Sequence, residues 1–125
     1  MTSANTVSTE KQQSINFFQN LLLVAIADRY LDTAESDFLV QVGDQMGLSE
    51  EDVIHLSENP SELEFVIPKT AADRVNQLRA LVRMMLQDGE IEKQEYDLCL
   101  QYADRVGFDK QVLDDLIQDM DMQQG

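Results

Sequence analysis

The chain repeats itself, because residues 77–116 align onto residues 17–56 without a gap at an offset of sixty positions. Most of the identical pairs are polar, and the identities include Asp28/Asp88, Glu35/Glu95, Asp37/Asp97, Gln41/Gln101, Asp44/Asp104, Gly47/Gly107 and Leu56/Leu116. Apolar agreement alone would be weak, since any two amphipathic helices share it, but solvent-facing positions have no packing reason to agree. A period of this length predicts two copies of one supersecondary unit, each too small to bury its own apolar face.

Each copy has the apolar periodicity of helices. Ile15, Phe18 and Leu22 recur at three- and four-residue steps in the first copy, and the second copy continues the pattern. Two kinds of residue divide the pattern into helices. Glycines favour a left-handed helix stop, at Gly47 and Gly107, and polar residues favour helix N-caps, at Ser49, Thr70 and Asp109. We predict an all-α fold, a compact single-domain bundle of two pseudo-symmetric helix–turn–helix–helix halves.

The predicted helical domain covers residues 14–122, with its halves at about residues 15–58 and 70–120. Residues 1–13 are rich in Ser, Thr and Gln and lack a period, so we expect a flexible N-terminal tail. Residues 62–68 contain a β-prone apolar run, but the chain offers no partner strand. We interpret that segment as an extended connector whose apolar side chains lie on the core, with partner docking as the alternative.

The charge of the chain limits its partners. Net charge is −15 and the pI is about 4.1, and both halves are acidic: residues 1–60 carry ten acids and two bases, residues 61–125 fourteen and seven. Such a field repels nucleic acid and anionic lipid, and it favours cations or a basic protein partner. The chain has a single cysteine and no apolar signal segment. Its apolar runs are all much shorter than the ~20 residues that span a membrane. We therefore predict a cytoplasmic protein without a membrane partner.

The second copy contains an acidic turn, DGEIEKQE at residues 88–95, between two apolar stretches. Asp88 and Glu95 have the relative places of the central Asp and the final Glu of an EF-hand loop. The first half of such a loop requires further acids four and two residues before Asp88, where the chain has Met84 and Leu86. The turn is therefore not an EF-hand.

The doubled pattern resembles the TerB-like tellurite-resistance family. The likeness covers roughly residues 15–120 and depends on Asp28, Asp32, Glu35, Gly47, Asp88, Gly89, Ile91, Glu92, Glu95 and Gly107. Family members are compact and all-helical, and they occur in bacterial stress-response and tellurite-resistance systems. The resemblance implies a similar role for this protein.

Metal binding by acidic residues is a further implication of the resemblance. The resemblance implies one metal site in each copy. The site that we favour consists of Asp88, Glu92 and Glu95, and its counterpart in the first copy consists of Asp28, Asp32 and Glu35. An oxygen-only ligand set favours Ca²⁺ or Mg²⁺ over zinc. The first copy departs from the pattern, because Arg29 stands where the second copy has Gly89.

The same acids also have a purely structural interpretation. Asp32 with Glu35 matches a capping box, and Glu95 is a first-turn acid that the helix dipole favours. Asp28 and Asp88 fit this less well, because they fall at helix C-termini, where the dipole disfavours negative charge. The alternative function is therefore a protein–protein interaction module with structural carboxylates and no metal.

No catalytic constellation supports an enzyme. The chain has one histidine, His55, with no Cys or second His nearby in sequence, and no glycine-rich phosphate loop. Cys99 lies in an apolar stripe, which is typical of a core thiol. We expect a non-enzymatic protein; a metal-assisted hydrolase that uses the paired carboxylates is the weaker reading.

Overall fold

A computed structural model describes residues 2–27, 33–58, 64–87, 89 and 91–124, with the backbone alone for residues 2–10, 57, 123 and 124. These residues contain six α-helices and no strand: α1 (Thr2–Ala25), α2 (Thr33–Gln45), α3 (Glu50–Ser57), α4 (Ala71–Met85), α5 (Lys93–Arg105) and α6 (Lys110–Gln124). The prediction of an all-α bundle is confirmed. None of the six helices combines the length and the apolar character needed to cross a membrane.

The offset of sixty positions recurs in the backbone. Helices α1 and α4 end sixty residues apart, α2 and α5 have equivalent bounds, and α3 and α6 begin sixty residues apart. After α2, the Leu48 amide donates to the Gly43 carbonyl at 2.9 Å, and after α5 the Phe108 amide donates to Ala103 at 2.8 Å. Gly47 and Gly107 have φ of +74° and +93°, so the predicted left-handed helix stops are confirmed.

The core lies between the two halves rather than within either one. The contact between α1 and α4 is the most extensive, and α1 also packs on α5 while α2 packs on α4. Equivalent residues of the two central helices are fully buried, as at Leu21 and Leu81 and at Val24 and Met84. Each half thus covers the apolar face of the other, as the repeat predicts for units too small to fold alone.

Helix α1 is longer than predicted. Helix α1 begins at Thr2, so it includes most of residues 1–13, the segment that the sequence predicts to be a flexible tail. The flexibility of that segment stays a prediction. The segment contains no Pro or Gly that would stop a helix. Near its middle, Gln12 donates to Asn16 at 2.9 Å, and Lys11 forms a 3.2 Å ion pair with Asp52 of α3. Absence of apolar periodicity therefore did not mean absence of a helix.

Residues 64–68 of the predicted connector form neither helix nor strand, and a buried amide holds them in place. The Asn20 side chain of α1 accepts a hydrogen bond from the Val66 amide at 2.8 Å and donates to the Val66 carbonyl at 2.9 Å. Asn20 also donates to the Gln77 side chain of α4 at 2.9 Å, and Phe65 packs on the Tyr102 ring with centroids 5.5 Å apart. Asn20 thus joins α1, α4 and the connector.

The predicted N-caps are confirmed. Ser49 and Asp52 form a reciprocal capping box at α3. Thr70 accepts a hydrogen bond from the third amide of α4 at 3.1 Å, and Asp109 accepts one from the third amide of α6 at 3.1 Å. These side chains satisfy amides that a helix start leaves without an intrahelical partner.

Candidate functional site

Two buried carboxylates occupy equivalent places beside the acidic turns. Glu35 is the third residue of α2 and Glu95 is the third residue of α5. They are only 3% and 1% exposed, although glutamate is almost never fully buried in proteins. Both take part in interactions with the surrounding protein. The repeat therefore places a charged side chain inside the bundle twice, each time at the first turn of a helix.

The first-turn acids of the neighbouring helices behave differently. Asp52 and Asp73 are the third residues of α3 and α4. Asp73 is exposed, and Asp52 is half-buried with a side chain that is 20% exposed. Asp52 accepts the Ser49 amide and pairs with Lys11, and these contacts hold the pKa of its carboxyl below the usual range. Capping and the helix dipole explain acids of this kind. They do not explain why Glu35 and Glu95 are buried.

At α5 the residue before the helix does not act as a cap. Glu92 has the extended backbone of an N-cap residue, but its side chain makes no capping hydrogen bond. Glu92 is half-buried, so its carboxylate lies near the protein surface at the end of the acidic turn. Within the turn, Gly89 has a φ of +85°, a conformation that L side chains rarely adopt. Its counterpart, Arg29, lies outside the described residues.

Glu95 also affects the thiol one helical turn away. Cys99 is fully buried, and burial together with the charge of Glu95 raises the pKa of the Cys99 thiol. The thiol lies 3.5 Å from the sulfur of Met85 in the core. A thiol held in its neutral form is a poor nucleophile and a poor metal ligand. The prediction of a core cysteine is confirmed.

The described residues contain three of the six predicted metal ligands, namely Glu35, Glu92 and Glu95. The other three, Asp28, Asp32 and Asp88, lie outside that part of the chain. Among the described residues alone, no three His, Cys, Asp or Glu side chains come together as a metal-binding group. A complete metal centre therefore needs the turn aspartates, and it stays a prediction.

An additional cluster next to Glu95 joins α5 to α6. The Tyr96 hydroxyl donates to Asp114 at 2.5 Å, and Lys110 donates to the same carboxylate at 2.6 Å while lying 5.8 Å from the Tyr96 ring centroid. Partial burial and the Asp114 carboxylate raise the pKa of Tyr96, and the Lys110 and Tyr96 bonds lower the pKa of Asp114. We call Tyr96, Lys110 and Asp114 the Tyr96 cluster.

The sequence does not point to this cluster, because Asp114 belongs to an acid-rich run with Asp115, Asp119 and Asp121, which is typical of a solvated helix face. Those three residues are exposed, whereas Asp114 is half-buried and bonded. The spacing of Lys110 and Asp114 at i and i+4 on one helix was the available signal.

Comparisons of this chain with protein-family models, with curated proteins and with solved structures found no match. The resemblance to TerB-like proteins therefore depends on the doubled acidic motif alone and remains a prediction.

Proposed function

We propose that this protein is a non-enzymatic, TerB-like acidic helical domain that binds a divalent cation at the turns before α2 and α5. In this proposal Asp88, Glu92 and Glu95 bind the ion in the second half. Asp28, Asp32 and Glu35 form the counterpart site. The biological setting implied by the resemblance is a bacterial response to tellurite or a related stress.

The burial of Glu35 and Glu95 is the observation that carries the proposal. Transferring an ionised carboxylate from water into a protein interior is costly unless other groups compensate for its charge. Asp52 and Asp73 have the same helix position, but Asp73 is exposed and Asp52 is only half-buried and pairs with Lys11. Both copies keep a buried carboxylate beside an acidic turn, and such a carboxylate can bind a cation. The cation would add to the interactions that Glu35 and Glu95 already make with the protein.

The ligand chemistry favours Ca²⁺ or Mg²⁺. Both ions prefer oxygen ligands from carboxylates and backbone carbonyls, and Mg²⁺ retains several waters when only a few protein groups bind it. Glu92 and Glu95 flank the start of α5, and Asp88 precedes them in sequence, three positions after the last residue of α4. A bound ion would therefore connect the end of one helix to the beginning of the next, and it would stabilise the folded state.

A thermal melt of the chelator-treated protein, with and without millimolar Ca²⁺ or Mg²⁺, tests the proposal. At a free ion concentration of a hundred times Kd, binding to the native state alone stabilises it by about 2.7 kcal/mol. Wild type is expected to melt at a higher temperature with one of the ions. The double variant Asp88→Asn/Glu95→Gln, which keeps the side-chain shapes, is expected to lose that response.

The matched control is Asp44→Asn/Glu51→Gln, which removes the same charge from two exposed acids. It should respond to the ion as wild type does, since any general effect of charge reduction is common to both variants. An unchanged response in the Asp88/Glu95 variant would contradict the site assignment. No shift of the wild-type Tm with either ion would contradict cation binding itself.

A second candidate is an interaction module for a basic protein, with carboxylates that serve only the fold. The acid excess of both halves favours it, as does the exposure of Asp115, Asp119 and Asp121 on α6. This function predicts partner binding that weakens with added salt and does not respond to chelator. Reversing Asp115 and Asp119 to Lys is the appropriate test, because reversing Asp114 would also disrupt the Tyr96 cluster.

A further inference from the structure

Helix α3 packs less extensively on the rest of the fold than the other helices do. Among the described residues, the pairs of helices with extensive contacts do not include α3, and Ile54 on this helix is 58% exposed. Its apolar side chains Val53 and Leu56 contact the core but are only half-buried. Sixty positions after Val53, Leu113 of α6 is fully buried. A helix with so little buried surface separates from the fold at a lower free energy than the core does.

An ion pair ties α3 to α1. Between described residues, three of the four ion pairs join side chains that are three or four positions apart. The fourth joins Lys11 of α1 to Asp52 of α3 at 3.2 Å, so it is the one in this part of the chain that connects two helices. Asp52 also accepts the Ser49 amide in the capping box. The same carboxylate therefore fixes the start of α3 and holds it against α1.

Helix α3 lies on an apolar seat that α1 and α2 form, at Phe18 and Gly43. A Cβ atom added to Gly43 would lie 3.8 Å from the Val53 side chain and 3.4 Å from the Phe18 ring. Gly43 is buried, and Phe18 is 1% exposed. The second copy has Ala103 in place of Gly43. The glycine thus lets α1, α2 and α3 meet closely, and movement of α3 would take Val53 away from this seat.

We propose that α3 is a lid on the seat at Phe18 and Gly43, and that the Lys11–Asp52 ion pair holds this lid closed. The lid opens as a unit while the other helices stay folded. Opening breaks the ion pair, separates Val53 and Leu56 from the core, and exposes apolar surface of the first half. The proposal is independent of cation binding, because other residues form the acidic turns.

The surroundings of the ion pair make the lid sensitive to ionic strength. The Lys11 side chain is 49% exposed, and the Asp52 side chain is 20% exposed. Salt therefore screens the attraction between the two charges, and water solvates both of them when the pair breaks. A fully buried pair would instead resist opening, because separating it leaves uncompensated charge in the interior. The pair thus favours the closed lid by a margin that salt reduces.

Amide hydrogen exchange of the full chain, followed by NMR at low denaturant concentrations with chelator present, tests the proposal. Amides of residues 54–57 report the opening of α3, and amides of residues 114–117 report the equivalent part of α6. The dependence of each opening free energy on denaturant measures the surface that the opening exposes. For residues 54–57 we expect a slope above zero but below that of the buried Leu81 amide. Residues 114–117 should exchange more slowly than residues 54–57.

Two matched variants test the role of the ion pair. Lys11→Gln removes it, and Lys93→Gln removes the same charge from a pair with Asp97 on the same helix, which opening of α3 does not disturb. At low salt, Lys11→Gln should speed exchange at residues 54–57 by about two- to fivefold, the range for one exposed ion pair. Lys93→Gln should leave that exchange unchanged. At 1 M salt the Debye length is only ~3 Å, so the effect of Lys11→Gln should disappear.

Three results would overturn the proposal. A denaturant slope at residues 54–57 equal to that of Leu81 would mean that α3 separates only when the whole protein unfolds. A slope of zero would mean that the helix frays without uncovering the seat. Equal exchange at residues 54–57 in the Lys11 and Lys93 variants would mean that the ion pair does not hold the lid.

Discussion

The two halves of the molecule share a backbone plan but differ in how their last helix is attached. In the second half, the Tyr96 cluster joins α5 to α6, and Leu113 of α6 is fully buried. Sixty positions before Tyr96, Lys110 and Asp114, the first half has Ser36, Glu50 and Ile54, so the same hydrogen bonds cannot form there. Ile54 is 58% exposed, and the ion pair between Lys11 and Asp52 joins α3 to α1 instead.

This difference indicates how a duplicated unit can divide its roles. The second half contributes the better-packed outer helix, and the α3 helix of the first half is short and weakly packed. Regions with few buried contacts open locally at a lower free energy than the core does. We therefore expect α3 to be the less protected outer helix, and the predictions that follow test this asymmetry.

The largest effect is expected from equivalent core truncations in the two outer helices. Leu113→Ala removes a fully buried side chain and should lower the free energy of unfolding by about 3 kcal/mol, within the usual range for such changes. Val53→Ala, sixty positions earlier, removes less volume from a half-buried site and should cost about 1 kcal/mol. Chemical denaturation measures both. Equal losses would contradict the asymmetry.

A smaller effect is expected at the connector, which exists only between the halves. Asn20 corresponds to Ala80 in the second half, so Asn20→Ala converts the first copy to the second at this position. The change leaves the Val66 backbone groups and the Gln77 side chain without their Asn20 partner. We expect a loss of about 2 kcal/mol, since unpaired buried polar groups cost ~1–3 kcal/mol.

Asn16→Ala is the control for this change. Asn16 lies one helical turn earlier on α1 and bonds to the exposed Gln12 side chain. Denaturant midpoints of the two variants should differ clearly, and amide exchange should increase at Val66 in the Asn20 variant alone. If both variants lose the same stability, the buried amide network does not hold the connector.

The smallest effect is expected from Tyr96→Phe, which removes one hydrogen bond at a partly exposed site. We expect Tm to fall by a few degrees near neutral pH. The pKa of Asp114 is lower in the folded state than in the unfolded state. Asp114 therefore stabilises the folded protein above the ordinary carboxyl pKa of about 4, and this stabilisation is lost as the pH falls through the pKa of the folded state. The difference between variant and wild type should therefore shrink in acid.

The same cluster should also weaken in alkali. The folded-state pKa values of Lys110 and Tyr96 are raised, so their contribution is present below the ordinary values near 10 and is lost as pH rises through the folded ones. Thermal melts across pH check both limits. A Tm difference that is independent of pH would mean that the hydroxyl, rather than the charged cluster, accounts for the effect.

Most of the fold could be predicted because it depends on local signals. Apolar periodicity located the helices from residue 14 onward, and the capping residues and the two stop glycines marked their ends. The repeat supplied the pairing of the halves, since neither can bury its apolar face alone. The N-terminal part of α1 was not predicted, because a helix with polar residues on every side has no apolar period.

The candidate site could be predicted only in part. The repeated identity of Glu35 and Glu95 marked them as special, but their burial depends on how the helices pack. Asn20 had only a weak sequence signal, as a polar residue directly before the apolar run of residues 21–27. Its partner at Val66 did not, because the two residues are separated by 46 positions in the chain.

The sequence by itself determined the helical class, most helix ends and the acidic turns, because each follows from residues within a few positions of one another. It also determined the two copies, because the chain aligns onto itself. Only the tertiary structure decided which charges are buried and how Asn20 holds the connector. These features arise from contacts between distant segments. Their free energies depend on packing and on exclusion of water, which local sequence patterns do not specify.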